Sequence, residues 1–197
     1  MRTRLTTGQR REQLLTIGAG LFAKHPYDEV WIEEVAEIAG VSRGLLYHYF
    51  PTKRDFFAEI VRSSSERLLE MSAPDADLPL GEQLAAGLDV YLDFARTHPE
   101  GYRVIHRAAG AVDDEIRQIR DTGMAANGDR ILAALAALKP VDDAARLAVR
   151  GWLAFVVALC LEWLDHPEIG REQVRALCLR TFFAAVEVDP RAVGFRD

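Results

Sequence analysis

The chain has 197 residues, a formal net charge of −6, 49% hydrophobic and 27% charged residues. That length holds one large domain, or a small domain fused to a medium one, and the composition excludes a collagenous, Pro/Gly-rich or disordered chain. About 70% of the unfolded surface can be buried at this size, so a core is expected without staples.

Nearly every periodic segment repeats at three and four residues, the helical spacing. Leu14, Leu15, Gly18, Leu21 and Phe22 form a stripe that predicts a helix from about Thr7 to Lys24. Val35, Ala36, Ala39 and Gly40 belong to a short helix, and Phe56, Phe57, Ile60, Val61, Leu68 and Leu69 to a long one after Thr52. The stretch 72–79, with two prolines and several polar residues, reads as a loop. Further helices are expected at about 80–97, 99–109, 113–138, 142–164 and 168–188, with Pro99, the Ala109–Ala111 region, Pro140 and Pro167 marking the breaks. Residues from Asp189 onward read as a tail. With no period-two run longer than Val186–Val188, the fold class is all-α, with about nine helices.

Cys160 and Cys178 sit in apolar helical surroundings and read as small buried hydrophobes in a reducing compartment. The basic start, Met1–Thr7, leads into no apolar run, so no signal peptide is expected. The longest apolar run, Gly151–Leu161, falls short of the ~20 residues a membrane span needs. A cytoplasmic protein with no membrane partner is expected. Whole-chain charge argues against nucleic acid, but the charges divide unevenly. Residues 1–55 hold eight Lys/Arg and seven Asp/Glu, a net of +1; residues 56–197 hold sixteen and twenty-three, a net of −7. Seven of the eight cations of the first segment lie in the arm (Arg2, Arg4, Arg10, Arg11), at Arg43 and at Lys53-Arg54, while Glu33, Glu34 and Glu37 cluster on one short helix.

The stretch from Ile32 to Phe50 fits two short helices joined by a tight turn. Val35 and Ala39 supply an inner face, and Ala36 is small where a second helix would cross. Gly40 can take the left-handed conformation that ends a helix. Val41 plugs the corner, Ser42 can cap the second helix, and Leu46 and Tyr49 pack back. This is a helix-turn-helix, whose second helix enters the major groove of double-stranded DNA with its N-terminal residues on the bases. Those residues are Ser42, Arg43, Gly44 and Leu45. Arg43 can bond guanine O6 and N7 bidentately, Gly44 allows close backbone approach, and Leu45 can touch a thymine methyl. Tyr47 and His48 lie one turn on, where hydroxyl and imidazole meet phosphates. The blander reading is a helical hairpin with no ligand, its aromatics serving in packing.

Thr52 then reads as an N-cap with Asp55 three residues later, an acidic variant of the capping box. The amides of that helix start, with Lys53 beside them, suit a phosphate; an ordinary solvated lysine is the alternative.

The run Gly40-Val41-Ser42-Arg43-Gly44-Leu45-Leu46-Tyr47-His48-Tyr49-Phe50, followed by Thr52-Lys53, resembles the TetR family of one-component transcriptional regulators over about residues 10–57. The resemblance implies a three-helix DNA-binding head, a helical ligand-binding body, and a homodimer formed by the last two long helices. It carries base contacts onto Arg43, Gly44 and Leu45, and phosphate contacts onto Tyr47, Tyr49 and Lys53. Where the family usually has a Ser or Thr ahead of the second helix, this chain has Val30-Trp31; the indole can donate but cannot cap.

In the remainder, Trp152, Phe155, Leu159 and Trp163, with Leu177, Thr181 and Phe182, mark two long helices apolar on more than one face. Such helices need cover on more than one side, as in a dimeric four-helix bundle, or as two core helices of a monomer. Tyr91, Phe94, Tyr102, His106 and Met124 are candidates for an apolar effector pocket with orienting donors, although a packed core with satisfied polar tips explains the same residues. His98 and His106 have no Cys or carboxylate at ligand spacing, so neither metal nor cofactor is expected. No phosphate loop, dinucleotide fingerprint or nucleophile elbow occurs, and no enzyme is expected. The expected organisation is a DNA-binding domain over 1–55 and a ligand-binding and dimerisation domain over 56–197. The expected function is a homodimeric repressor released from a palindromic operator by a small apolar effector. The rivals are a helical small-molecule enzyme and a protein-interaction module without DNA binding.

Overall fold

A computed structural model describes residues 5–75, 77–107 and 114–195. Arg2 and Arg4 of the arm, and the expected break at Ala109–Ala111, lie outside the described residues. The described residues contain nine α-helices and no strand: α1 Thr7–Phe22, α2 Ile32–Ala39, α3 Arg43–Tyr49, α4 Lys53–Met71, α5 Leu80–Thr97, α6 Pro99–Arg107, α7 Asp114–Ala136, α8 Asp143–Asp165 and α9 Arg171–Val186. Short 3-10 turns, Tyr27–Glu29 and Pro190–Val193, complete the set. Helix α9 begins later than its apolar pattern predicts, because Gly170 is its N-cap.

The chain forms two compact units: residues 1–65 with 98–119, and residues 66–97 with 120–197. In the first, α1 opens on a capping box: the Gln9 amide donates to Thr6 Oγ1 at 3.2 Å, and the Thr6 amide to Gln9 Oε1 at 3.0 Å. Such a cap contributes about 1 kcal/mol. Leu14 and Phe22 of α1, Val35 and Ala36 of α2, Leu46 of α3 and Phe56 of α4 are all buried in one cluster. Phe56 lies 4.7 Å from the Phe50 ring, and Phe57 lies 4.9 Å from Phe22, centroid to centroid. Each such ring removed from water stabilises the fold by roughly 1.5–3 kcal/mol. Gly18 is required by close approach: a Cβ there would press into the Phe56 ring and stand 2.8 Å from Ile60 Cδ1.

The second unit is built on α5, α8 and α9. The Trp152 indole donates to the Cys178 carbonyl at 2.8 Å, and its ring meets Phe182 edge-on at 5.0 Å. Arg171 and Arg175 of α9 each stand 2.9 Å from Asp89 Oδ1 on α5, and Arg171 also reaches Asp93 at 2.8 Å. Lys139 closes the far end of α9 by donating to the Val186 carbonyl at 2.7 Å. The expected tail is corrected here. Pro190 and Gly194 turn the chain, and Val193 and Phe195 are buried, Phe195 5.5 Å from the Phe183 ring. A Cβ on Gly81 would come 2.6 Å from Phe195 Cβ, so that glycine is the seat for the ring.

Helix α8 is long and apolar enough to cross a membrane by length and composition alone. Its inner row, Val149, Trp152, Val156, Cys160 and Trp163, is buried within its own unit.

Burial pushes the Cys178 thiol up to about 11. The raised value contributes stability that is complete below the ordinary thiol range and is lost as pH rises toward 11. At pH 8, Cys178 in the native protein should therefore resist a thiol reagent that labels it quickly in denaturant. Equal labelling rates in the two states would contradict this burial.

Candidate nucleic-acid interface

Helices α2 and α3 form the predicted tight turn. Gly40 has φ 66° and ψ 39°, the left-handed conformation, and its amide donates to the carbonyls of Ala36 and Glu37. Ser42 caps α3, accepting from the Leu45 amide at 3.2 Å. With Leu46 buried below, the opposite face of α3 is turned to solvent: Ser42, Arg43, Gly44, Tyr47 and His48 are exposed, and Leu45 and Tyr49 half-buried. A Cβ on Gly44 would meet nothing within 4 Å, so its smallness leaves open room above the helix.

The exposed face carries acids from α2. The Tyr47 hydroxyl donates to Glu33 Oε1 at 2.6 Å, and Arg43 Nη2 lies 3.7 Å from Glu37 Oε1. The hydrogen bond from Tyr47 holds the Glu33 carboxyl below the usual carboxylate range, and its reciprocal raises the Tyr47 hydroxyl above the usual phenol value. The sequence pattern marked Glu33 and Glu37 only as an acidic cluster. Their pairing with α3 depends on the crossing of the two helices, which local spacing does not encode.

Around this face, the Tyr49 hydroxyl donates to the Thr7 carbonyl at 3.4 Å. Thr52 caps α4 through the Asp55 amide at 3.1 Å. Lys53 is half-buried, its Nζ donating to the Asp28 carbonyl at 3.3 Å and lying 4.6 Å from the Tyr27 ring centre. Burial lowers its ammonium below the usual lysine value, against the raising effect of Asp28 and Glu33. Arg11 pairs with Glu59 and covers the Phe50 ring at 5.4 Å. Trp31, at the N-cap of α2, makes no side-chain cap and is 72% exposed.

The second unit encloses a cavity of about 150 Å³, lined by residues of α4, α5, α7, α8 and α9. Tyr91 and Met124 are in its wall. Phe94, Tyr102 and His106 are not, and the last two belong to the first unit, where Tyr102 is buried and its ring lies 4.4 Å from that of His106. Of the five expected pocket residues the structure thus brings Tyr91 and Met124 together; Tyr102 and His106 lie on α6, whose aromatic pair serves the core of the first unit, and Phe94 of α5 stands outside the wall. Lining residues missed by the sequence reading include Gln83, Asn127 and Arg130.

The residues expected at a dimer face divide by burial. Trp152, Trp163 and Phe182 are buried in their own unit, with the indole N–H of Trp152 satisfied by the Cys178 carbonyl, that of Trp163 by the Ile169 carbonyl, and Phe182 packed edge-on against Trp152. Phe155 points outward, while Leu159, Leu177 and Thr181 are half-buried. Among the described residues no group of His, Cys, Asp and Glu could hold a metal ion.

Residues 14–60 match the family described as bacterial regulatory proteins, tetR family, and residues 80–185 match the tetracyclin repressor-like C-terminal domain. A tetR-family transcriptional regulator from Streptomyces coelicolor is 30% identical, with a TM-score of 0.85 over 92% of this chain and 82% of that one. The HTH-type transcriptional activator FasR of Mycolicibacterium smegmatis is 26% identical over 169 residues, 76% of this chain and 75% of that one. The uncharacterized regulator YhgD of Bacillus subtilis is 24% identical over 177 residues, 85% and 92% of the two chains. A capped reading helix on an all-helical chain, with an apolar cavity in the C-terminal part, defines a DNA-binding transcriptional regulator responsive to a ligand. This chain belongs to the TetR family. Members of that family bind DNA and small-molecule effectors, act as dimers, and are not enzymes.

Proposed function

We propose that the protein is a homodimeric repressor that binds a palindromic operator and leaves it when a small apolar effector enters the cavity of the second unit. The observation that carries this reading is the solvent-exposed face of α3, where Ser42, Arg43, Gly44, Tyr47 and His48 stand over a buried Leu46. We assign DNA binding to residues 1–55, and effector binding and dimerisation to 56–197. Arg43, Gly44 and Leu45 read base edges, with Ser42 holding the helix start, and Tyr47, His48, Tyr49 and Lys53 meet the backbone. The protein acts in the cytoplasm, where its operator is.

A second copy is supported by the outer face of α8. Leu147, Gly151, Ala154, Phe155 and Ala158 recur at helical spacing, all are exposed, and Leu147 is 73% exposed. Twofold pairing covers such a face and presents two α3 helices to successive major grooves, about 34 Å apart. Effector release then needs only differential affinity for the DNA-bound and free states, typically about 1–3 kcal/mol.

Selection from a random DNA pool at stated salt tests the reading. A palindrome whose half-sites lie about one helical turn apart is expected, and recovery of no sequence would refute it. Lys53→Ala should weaken selected and unrelated DNA alike and reduce the slope of log affinity against log salt by about one. An unchanged slope would remove Lys53 from the phosphate contacts and leave it as the prop of Tyr27 and Asp28.

A further inference from the structure

The cavity of the second unit has walls of Leu84, Leu88, Leu135, Trp152, Val156 and Phe182, which select only against water. Its few polar side chains decide orientation and charge. Ser72 and Gln83 are engaged by their own chain, Ser72 Oγ with the Leu69 carbonyl at 3.4 Å and Gln83 Nε2 with the Leu78 carbonyl at 2.8 Å. Asn127 and Arg130 stand three residues apart on α7, hence on one face. Arg130 is the one charged residue among the described lining residues. It is exposed, as are Pro74 and Leu138, so these three mark the rim, and the remaining described lining residues are half-buried or buried.

Arg130 spends Nη1 on the Leu69 carbonyl in the last turn of α4, at 2.5 Å. That bond anchors the guanidinium, and a guanidinium carries five N–H donors. No described carboxylate lies within ion-pair distance of it, whereas Arg120, Arg171 and Arg175 of the same unit are each paired with an acid. An anchored, unneutralised cation at the edge of an apolar cavity repels cationic ligands and leaves neutral ones indifferent. A planar carboxylate matches the guanidinium fork, and the Asn127 amide one turn away can donate to the same group.

Resting on the reading of this cavity as the effector site, we propose that its occupant is a monoanionic amphiphile. Its carboxylate is held at the rim by Arg130 and Asn127, and its apolar body lies against Trp152, Val156 and Phe182. An apolar cavity of about 150 Å³ takes a benzene-sized group, so the buried body is roughly six carbons across ring or chain. One unpaired cation suits one negative charge.

Calorimetric titration of the full-length protein with octanoate, octan-1-ol and octylamine at fixed salt and pH 7 tests this. Octanoate should bind roughly five- to tenfold tighter than the alcohol, the scale of a charge-assisted hydrogen bond at a partly solvated rim. Octylamine should bind most weakly. Arg130→Gln should abolish the preference by weakening the acid several-fold more than the alcohol, and Arg130→Lys should restore part of it. Equal affinity for acid and alcohol, a preference that survives Arg130→Gln, or no binding of the acid would each overturn the proposal. Operator affinity measured in the same solutions separates the two readings. Selective binding of octanoate with unchanged DNA affinity refutes effector release and leaves the ligand class standing. Release by the alcohol as readily as by the acid refutes the ligand class and leaves release standing.

Discussion

Arg43→Ala should cost about 1–3 kcal/mol per half-site on the selected operator and relax the preference at one base pair. Because a dimer carries the change twice, the loss per operator approaches double that figure, and each 1.4 kcal/mol is tenfold in affinity. The Ser42 cap fixes where α3 begins and so puts Arg43 in its first turn. Glu37, 3.7 Å away, is exposed like Arg43 itself, so the pair is screened by water and contributes little to the fold. Arg43→Lys should lose most of the same discrimination, because an ammonium cannot bond O6 and N7 of one guanine as a fork does. Binding measured on the selected operator and on single-base variants separates the cases. If Arg43→Ala weakened every sequence equally, Arg43 would be a backbone contact and the base-reading assignment would fail.

Tyr47 behaves differently on the same face. Its hydroxyl already donates to Glu33, so contact with a phosphate means exchanging one acceptor for another, with Glu33 left as a negative charge beside the backbone. On the proposed contacts, the acids of α2 should trim affinity for any DNA and leave discrimination to Arg43. The charge division seen in the sequence, +1 over residues 1–55 and −7 over the rest, has the same sense: attraction is kept small and local, which lowers binding to unrelated DNA.

The parts of this site that were legible from the sequence are those set by local chemistry. Gly40 was readable because a left-handed helix end favours glycine, and Ser42 because a hydroxyl at a helix start bonds an amide three residues on. The helices themselves follow from three-and-four spacing. What was hidden depends on which side of an apolar helix meets which neighbour. Trp152 and Phe155 lie three residues apart on α8, equally apolar in the sequence, yet one is buried against Cys178 and Phe182 while the other faces out. Tyr102 looked like a pocket residue because nothing in its surroundings says that α6 packs with the first unit. Val193 and Phe195 looked like a tail because two apolar residues carry no period, and their seat at Gly81 lies more than a hundred residues earlier.

The head's dependence on one close contact leads to a second large effect. Phe56→Ala should destabilise the first unit by about 3–5 kcal/mol, the usual cost of removing a fully buried phenylalanine. The ring touches the elements that hold α3 in place: it packs at a tilt against Phe50 at the end of α3, lies 6.4 Å from the Phe22 ring of α1, and fills the space that Gly18 leaves. Gly18→Ala in the native background should also destabilise, by about 1–3 kcal/mol, since its methyl would press into the same ring. The two changes should not add. With the ring removed, the new methyl occupies part of the cavity, so Gly18→Ala should cost less in the Phe56→Ala background than alone. The relief is incomplete, because Ile60 Cδ1 would still stand 2.8 Å from the added carbon. Denaturant melts of the four proteins, with amide exchange followed at Leu45 and Leu46, measure the coupling where it matters for DNA. Simple additivity would mean that Gly18 is small for some reason other than this ring, and that α3 is braced by another contact.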